Sequence, residues 1–247
     1  MTKLISCCLF SLVLVVSLLL LGGCPQRISK DKAIAPKAYG TELVEVSGGN
    51  QVTGIGSDLP EPVVLQVKDK DGNPMAGALV AFHGERLRFK PGSALSDSGG
   101  QVTTFVQVAF ASGDYQIVAE TPKPGGGRAI IKLREIALGS EQTVGQGVHE
   151  TYCIQCHDRQ SIPERVSNFD NLSPAPHEFT DAAALNPISD ADLINIITYG
   201  GPALKESPEM PAYGATLKPD EIKAVVAYIR ALTRGAAAAQ LSSRRAP

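Results

Sequence analysis

Cys153-Ile154-Gln155-Cys156-His157 constrains what this chain can become more than any other stretch. Two thiols three residues apart share one helical turn, and an imidazole follows the second directly. That spacing suits covalent attachment of one haem: the thiols form thioethers with the two vinyl groups of the porphyrin, and His157 then lies under the ring with a nitrogen toward the iron. CxxC also serves zinc sites and redox dithiols, so the flanking residues must decide between these chemistries.

The remaining cysteines leave no pair for a structural disulfide. Of five in the chain, Cys7 and Cys8 fall in an amino-terminal apolar segment and Cys24 ends it. Lys3, an apolar run from about Leu9 to Leu21, and then Leu21-Gly22-Gly23-Cys24 resemble a bacterial lipoprotein signal peptide with its lipobox. The resemblance implies a signal peptide over 1–23 and lipid on Cys24. It also implies an exported lipoprotein, anchored to a cell membrane and facing the periplasm, with inner or outer membrane left open. Several acyl chains would hold it stably, where one binds only marginally. The rival is an uncleaved transmembrane anchor, for which the run is short against the ~20 apolar residues of a span. Residues 24–40 read as a polar tether. A formal net charge of −2 over 247 residues argues against nucleic acid as a partner.

From Thr41 to about Ile136 hydrophobicity alternates with a period of two between Gly, Pro, Asp and Asn clusters. Val63, Leu65 and Val67 form one set, Ala78, Val80 and Phe82 a second, and Val102, Thr104, Val106, Val108 and Phe110 a third. Tyr115, Ile117 and Ala119, then Ala129, Ile131 and Leu133, close the series. Short, regularly spaced strands of this kind predict an antiparallel sandwich. Gly54-Ile55-Gly56-Ser57-Asp58-Leu59-Pro60-Glu61-Pro62, Val67-Lys68-Asp69 with Asp71-Gly72-Asn73-Pro74, and Gly113-Asp114-Tyr115 resemble the bacterial immunoglobulin-like repeats of the invasin and intimin type. That implies a spacer, an adhesive unit or a docking surface for a protein or surface partner. His83 and Met75 are the possible metal donors here, and a lone His beside Phe82 reads as a surface or edge residue, since a metal site needs several converging donors.

From Ser140 the period becomes helical. Val144, Val148 and Tyr152 are expected on one face of a helix leading to Cys153. Asp158 to Pro187 is loop-rich. Ser189 to Tyr199 forms a helix capped by Ser189 with Asp192 and stopped at Gly200-Gly201-Pro202. Pro219, Asp220 and Glu221 open a last helix whose Ile222, Val225, Val226 and Ile229 face a core. With CxxCH between its first and last helices, and with Gly145 and Tyr228 at the crossing positions, this part is similar to class I cytochrome c. The resemblance implies a sixth ligand from the Met-Pro loop, here Met210-Pro211, and a packing role for His149 against Tyr228. His177 is the rival ligand, and together with CxxCH it would complete a Cys2His2 zinc set.

The expected fold is therefore multidomain: an all-β immunoglobulin-like sandwich over 41–138, an all-α cytochrome c domain over 139–234, and a disordered tail over 235–247. A longer last helix through Ala236 to Leu241 is the alternative for the tail. Haem c, one per chain, attaches at Cys153 and Cys156, with His157 and Met210 as axial ligands. The expected function is single-electron transfer to redox partner proteins, with no catalytic residues in the chain, because a six-coordinate iron has no open site. Two alternatives remain: an adhesive or structural surface lipoprotein whose haem acts as a redox sensor, and a haem enzyme or gas binder that requires Met210 to leave the iron.

Overall fold

The computed structural model describes residues 35–204 and 207–243. The expected signal peptide, Cys24 and most of the expected tether lie outside them. Nine strands form two sheets. In spatial order β1 (Glu42–Ser47), β3 (Val63–Lys68), β7 (Gln101–Val108) and β5 (Leu87–Lys90) make one, and β2 (Val52–Gly54), β9 (Arg128–Leu138), β8 (Gly113–Pro122), β4 (Leu79–His83) and β6 (Ser93–Leu95) the other. Val63, Leu65 and Val67 from the first sheet pack with Val80, Ile117 and Ala119 from the second, so the two-residue period has put each strand's apolar face inward. The turn after β3 closes on Asp69, whose Oδ1 accepts the Asp71 and Asn73 N–H groups at 2.8 and 2.9 Å.

Two details depart from the sequence reading of this region. β2 runs parallel to β9, with Val52 opposite Ile136, because the chain changes sheets after a bulge at Glu45–Ser47. The third apolar set stops at Val108: Phe110 lies beyond the strand, 86% exposed, with its ring over Gly56.

The helical part consists of α1 (Ser140–Val148), a π turn (His149–Cys153), α2 (Ile154–His157), α3 (Ala182–Leu185), α4 (Asp190–Tyr199) and α5 (Pro219–Ser243). Ser189 caps α4 by accepting the Asp192 N–H at 3.1 Å, and Glu221 reaches back to the Lys218 N–H at 2.8 Å to open α5. α1 crosses α5 at Gly145, where an added Cβ would sit 2.0 Å from the Ala224 carbonyl oxygen; only a residue without a side chain permits that approach. The buried face of α1 is accordingly Gly145 and Val148, continued by His149, whereas Val144 and Tyr152 are exposed. This corrects the expected Val144–Val148–Tyr152 face. The π turn adds a residue to one turn of helix and so rotates Cys153 and α2 relative to α1. α5 continues to Ser243, past Arg234 where a disordered tail was expected; Ala236 to Ala239 supply the strongest helix-forming residues to carry it on.

Only Gly139 separates β9 from α1. Ile136 and Leu138, at the end of β9, belong to the same apolar cluster as Val148, Ile222, Val225 and Tyr228. Leu138 is fully buried there, which is worth about 1.5–3 kcal/mol. β9 ends at Leu138, and the helical core reaches back to include its last residues.

Candidate haem site

One cleft in the helical part brings Cys153, Cys156, His157 and Met210 together. It encloses about 1250 Å³ of atom-free space, counting its open side, and is walled largely by apolar side chains including Leu172, Phe179, Ile188 and Ile197. α2 presents Cys156 and His157, and the π turn before it presents Cys153. Met210 arrives from a loop after α4. Gly200 ends that helix at φ 82°, a conformation glycine adopts freely, and the Gly201 N–H then holds the Met210 carbonyl at 3.0 Å.

His157 is oriented by backbone. Its Nδ1 lies 2.7 Å from the His177 carbonyl oxygen, which can only accept, so the proton is on Nδ1 and Nε2 keeps its lone pair. Burial holds the imidazole below its ordinary pKa, partly opposed by this hydrogen bond. The loop between Asp158 and His177 is tied down by Arg165, which pairs with Asp158 at 2.8 Å, and by the Asn168 N–H on the Gln155 carbonyl at 2.8 Å. Arg230 of α5 clamps the α3–α4 junction, bonding Asp190 at 2.7 Å, the Leu185 carbonyl at 2.8 Å and the Ile188 carbonyl. Leu185 and Ile188 both line the cleft.

His149 lies between Phe179 and Tyr228, with ring centroids 4.8 and 5.4 Å away, and does not line the cleft. Phe179 in turn lies 5.0 Å from His157. Burial, with His157 nearby, lowers the His149 pKa to about 4, so it packs as a neutral ring.

The residues present fit a covalently attached haem. Two free thiols and an imidazole with an available Nε2 stand at the edge of an apolar cleft, and a thioether reaches the same cleft from another element. Burial, then the neighbouring Cys156, pushes the Cys153 thiol up to about 12, so with no metal bound it stands as the neutral thiol. Among the described residues no three His, Cys, Asp or Glu side chains converge as a metal site. His177 meets His157 through its carbonyl; its imidazole does not complete a Cys2His2 set.

Residues 140–229 match the family model described as "Cytochrome C oxidase, cbb3-type, subunit III". They form a cytochrome c domain. Such a domain carries haem c and works in haem-based electron transfer. No curated protein matches the chain. Among solved structures it is similar to the D00-D0 domain of intimin, at 14% identity over 44% of this chain and 51% of that one, TM-score 0.31. Invasin, titled a bacterial integrin-binding protein, gives 18% identity over 39% and 19%, TM-score 0.30. The Yersinia pseudotuberculosis adhesin InvE gives 13% over 39% and 32%, TM-score 0.29. The chain spans about half the length of the intimin fragment it matches. What precedes the cytochrome c domain is an immunoglobulin-like sandwich, as its two facing sheets define it.

Several contributors at the cleft were not legible in the sequence. The His177 carbonyl acts through backbone, and Arg230 and Tyr213 act across long sequence separations. Tyr213, directly after Met210-Pro211-Ala212, was the one with a local signal: a tyrosine beside the expected ligand brings a hydroxyl that needs a partner when packed.

Proposed function

We propose that this chain is a membrane-anchored monohaem cytochrome that carries single electrons. Cys153 and Cys156 would hold haem c covalently, His157 and Met210 would supply its iron ligands, and lipid on Cys24 would hold the protein to a membrane with its haem domain in the periplasm. The observation that carries the reading is the convergence of Cys153, Cys156, His157 and Met210 on one apolar cleft. Bound haem supplies one-electron exchange at its iron. The chain's own residues supply the rest: His157 is held in its ligating tautomer by the His177 carbonyl, and the Met210 loop is hung on the end of α4. Apolar walls limit water around the macrocycle. With His157 and Met210 both holding the iron, no position would be left for a substrate, which favours a carrier over an enzyme.

The description of the matched family favours one variant of this reading, in which the carrier is the haem-bearing subunit of a larger oxidoreductase. Co-purification of a second haem protein with the membrane fraction separates that variant from a free-standing carrier.

A pyridine haemochrome spectrum of protein matured in a haem-attaching host should give one haem c per chain. Met210→Ala should then abolish the weak long-wavelength band of Met-ligated ferric haem, lower the midpoint potential and admit carbon monoxide to the reduced iron. An unchanged spectrum and potential would exclude Met210 as a ligand.

A further inference from the structure

The loop that carries Met210 is fixed to one side of the cleft by its backbone. The Gly201 N–H bonds the Met210 carbonyl at 3.0 Å, the Tyr213 N–H bonds the Ile197 carbonyl at 2.9 Å and the Gly214 N–H bonds the Thr198 carbonyl at 2.9 Å. All three bonds run to α4 or its end. They set where the loop starts and stops, and they leave its distance from the attachment segment unset. One bond crosses to that segment: the Tyr213 hydroxyl donates to the Tyr152 carbonyl at 3.0 Å, between residues 61 apart in sequence. Tyr152 lies in the π turn and directly precedes Cys153. The two tyrosine rings meet edge-on, with centroids 6.0 Å apart and planes at 66°.

We propose that Tyr213 is a positioning residue for the iron site, a strut that fixes the gap between the Met210 loop and the π turn that leads into the helix bearing His157. The proposal rests on the reading of Met210 as sixth ligand. A methionine side chain is flexible, and a neutral thioether holds iron only while its loop keeps the sulfur in place. Among the described residues Tyr213, three positions from Met210, makes the one hydrogen bond that joins the loop to the attachment segment. Burial raises the Tyr213 hydroxyl above its ordinary pKa, so it remains a neutral donor. A loop released from Tyr152 swings outward more often, and an added ligand competes for the vacated position more successfully.

The test uses full-length haem-loaded protein in the ferric state, titrated with imidazole while the Met-ligation band is followed. A net hydrogen bond at a partly exposed site falls in the lower part of the usual range, so Tyr213→Phe should bind imidazole about two- to fivefold more tightly. Tyr199→Phe, which removes a hydroxyl from a 64% exposed ring, should bind as wild type does. Equal imidazole affinity for wild type and Tyr213→Phe, with the band present in both, overturns the strut and leaves Met210 as ligand. Absence of the band from wild type overturns the ligand assignment and the strut with it. If Tyr213→Phe fails to load haem, NMR of the wild-type holoprotein decides: a slowly exchanging Tyr213 hydroxyl proton supports the bond to the Tyr152 carbonyl, and a freely exchanging one overturns it.

Discussion

Glu135 gives the sandwich a pH dependence that can be worked out from its surroundings. The side chain is fully buried on β9; Oε2 accepts the Gln51 N–H at 2.7 Å, while Oε1 has no partner. Burial pushes the carboxyl up to about 8 against the pull of the Gln51 N–H, with Glu45 of β1 adding to the rise and Arg134 opposing it. In the unfolded chain the group ionises near its ordinary value of 4.5. Between those two values the native state keeps a proton that the unfolded state has lost, so stability falls as pH rises from about 4.5 and levels off above about 8. At roughly 1.4 kcal/mol per pH unit the ceiling is about 5 kcal/mol. Relaxation of the short β2 segment around Gln51 lets water in and lowers this, and about 1–3 kcal/mol is the expected loss. Glu135→Gln keeps the volume and the acceptor for Gln51 but cannot ionise. Guanidinium unfolding of the full chain at about pH 5.5, 7 and 8.5 should therefore show wild type losing about 1–3 kcal/mol more than the variant over the range. The slopes matter here and not the offsets, because the new amide N–H group has its own cost. Parallel loss of stability in the two proteins would refute the reasoning.

Two further substitutions test the packing that builds the cleft. Gly145→Ala should push α1 off α5 and destabilise the holoprotein by about 1–3 kcal/mol, the usual cost of overpacking, seen as a lower unfolding midpoint; an unchanged midpoint would mean that the crossing gives way freely. Leu138→Ala should cost about 2–5 kcal/mol and lower the unfolding transitions followed by haem absorbance and by sandwich strand signal together. A drop confined to one of the two signals would show that the shared core does not couple the domains.

How much of this was legible in the sequence depended on whether the signal was local. CxxCH, the Ser189 cap and the alternation in β3 and β7 depend on residues a few positions apart, and the structure has each of them. The face of α1 was misread because Val144 and Val148 look like a core stripe, while the face in use is set by a glycine against a carbonyl that arrives some eighty residues later in the chain. The π turn has no sequence period of its own, so the rotation it gives Cys153 could not be read. Phe110 continued an alternation that the strand itself did not, since the chain turns toward Gly113 after Val108. Among the cleft residues, thiols, imidazole and thioether are recognisable by type. The His177 carbonyl carries no residue-type signal, and any residue with an L backbone could provide it.

The core shared between β9 and the helices also bears on the order in which a growing chain can assemble. Synthesis delivers the sandwich first, yet Ile136 and Leu138 at its end find Ile222, Val225 and Tyr228 only in α5, which is made some eighty residues later. Until then the outer side of β9 lacks its cover, and Gly145 has no helix to cross. Through that interval the segment bearing Cys153 and Cys156 has no closed cleft around it, and both thiols stay accessible until packing buries them. Closure by the last helix then completes the sandwich's far end and the haem pocket in one step, so a chain truncated before Pro219 should lack both.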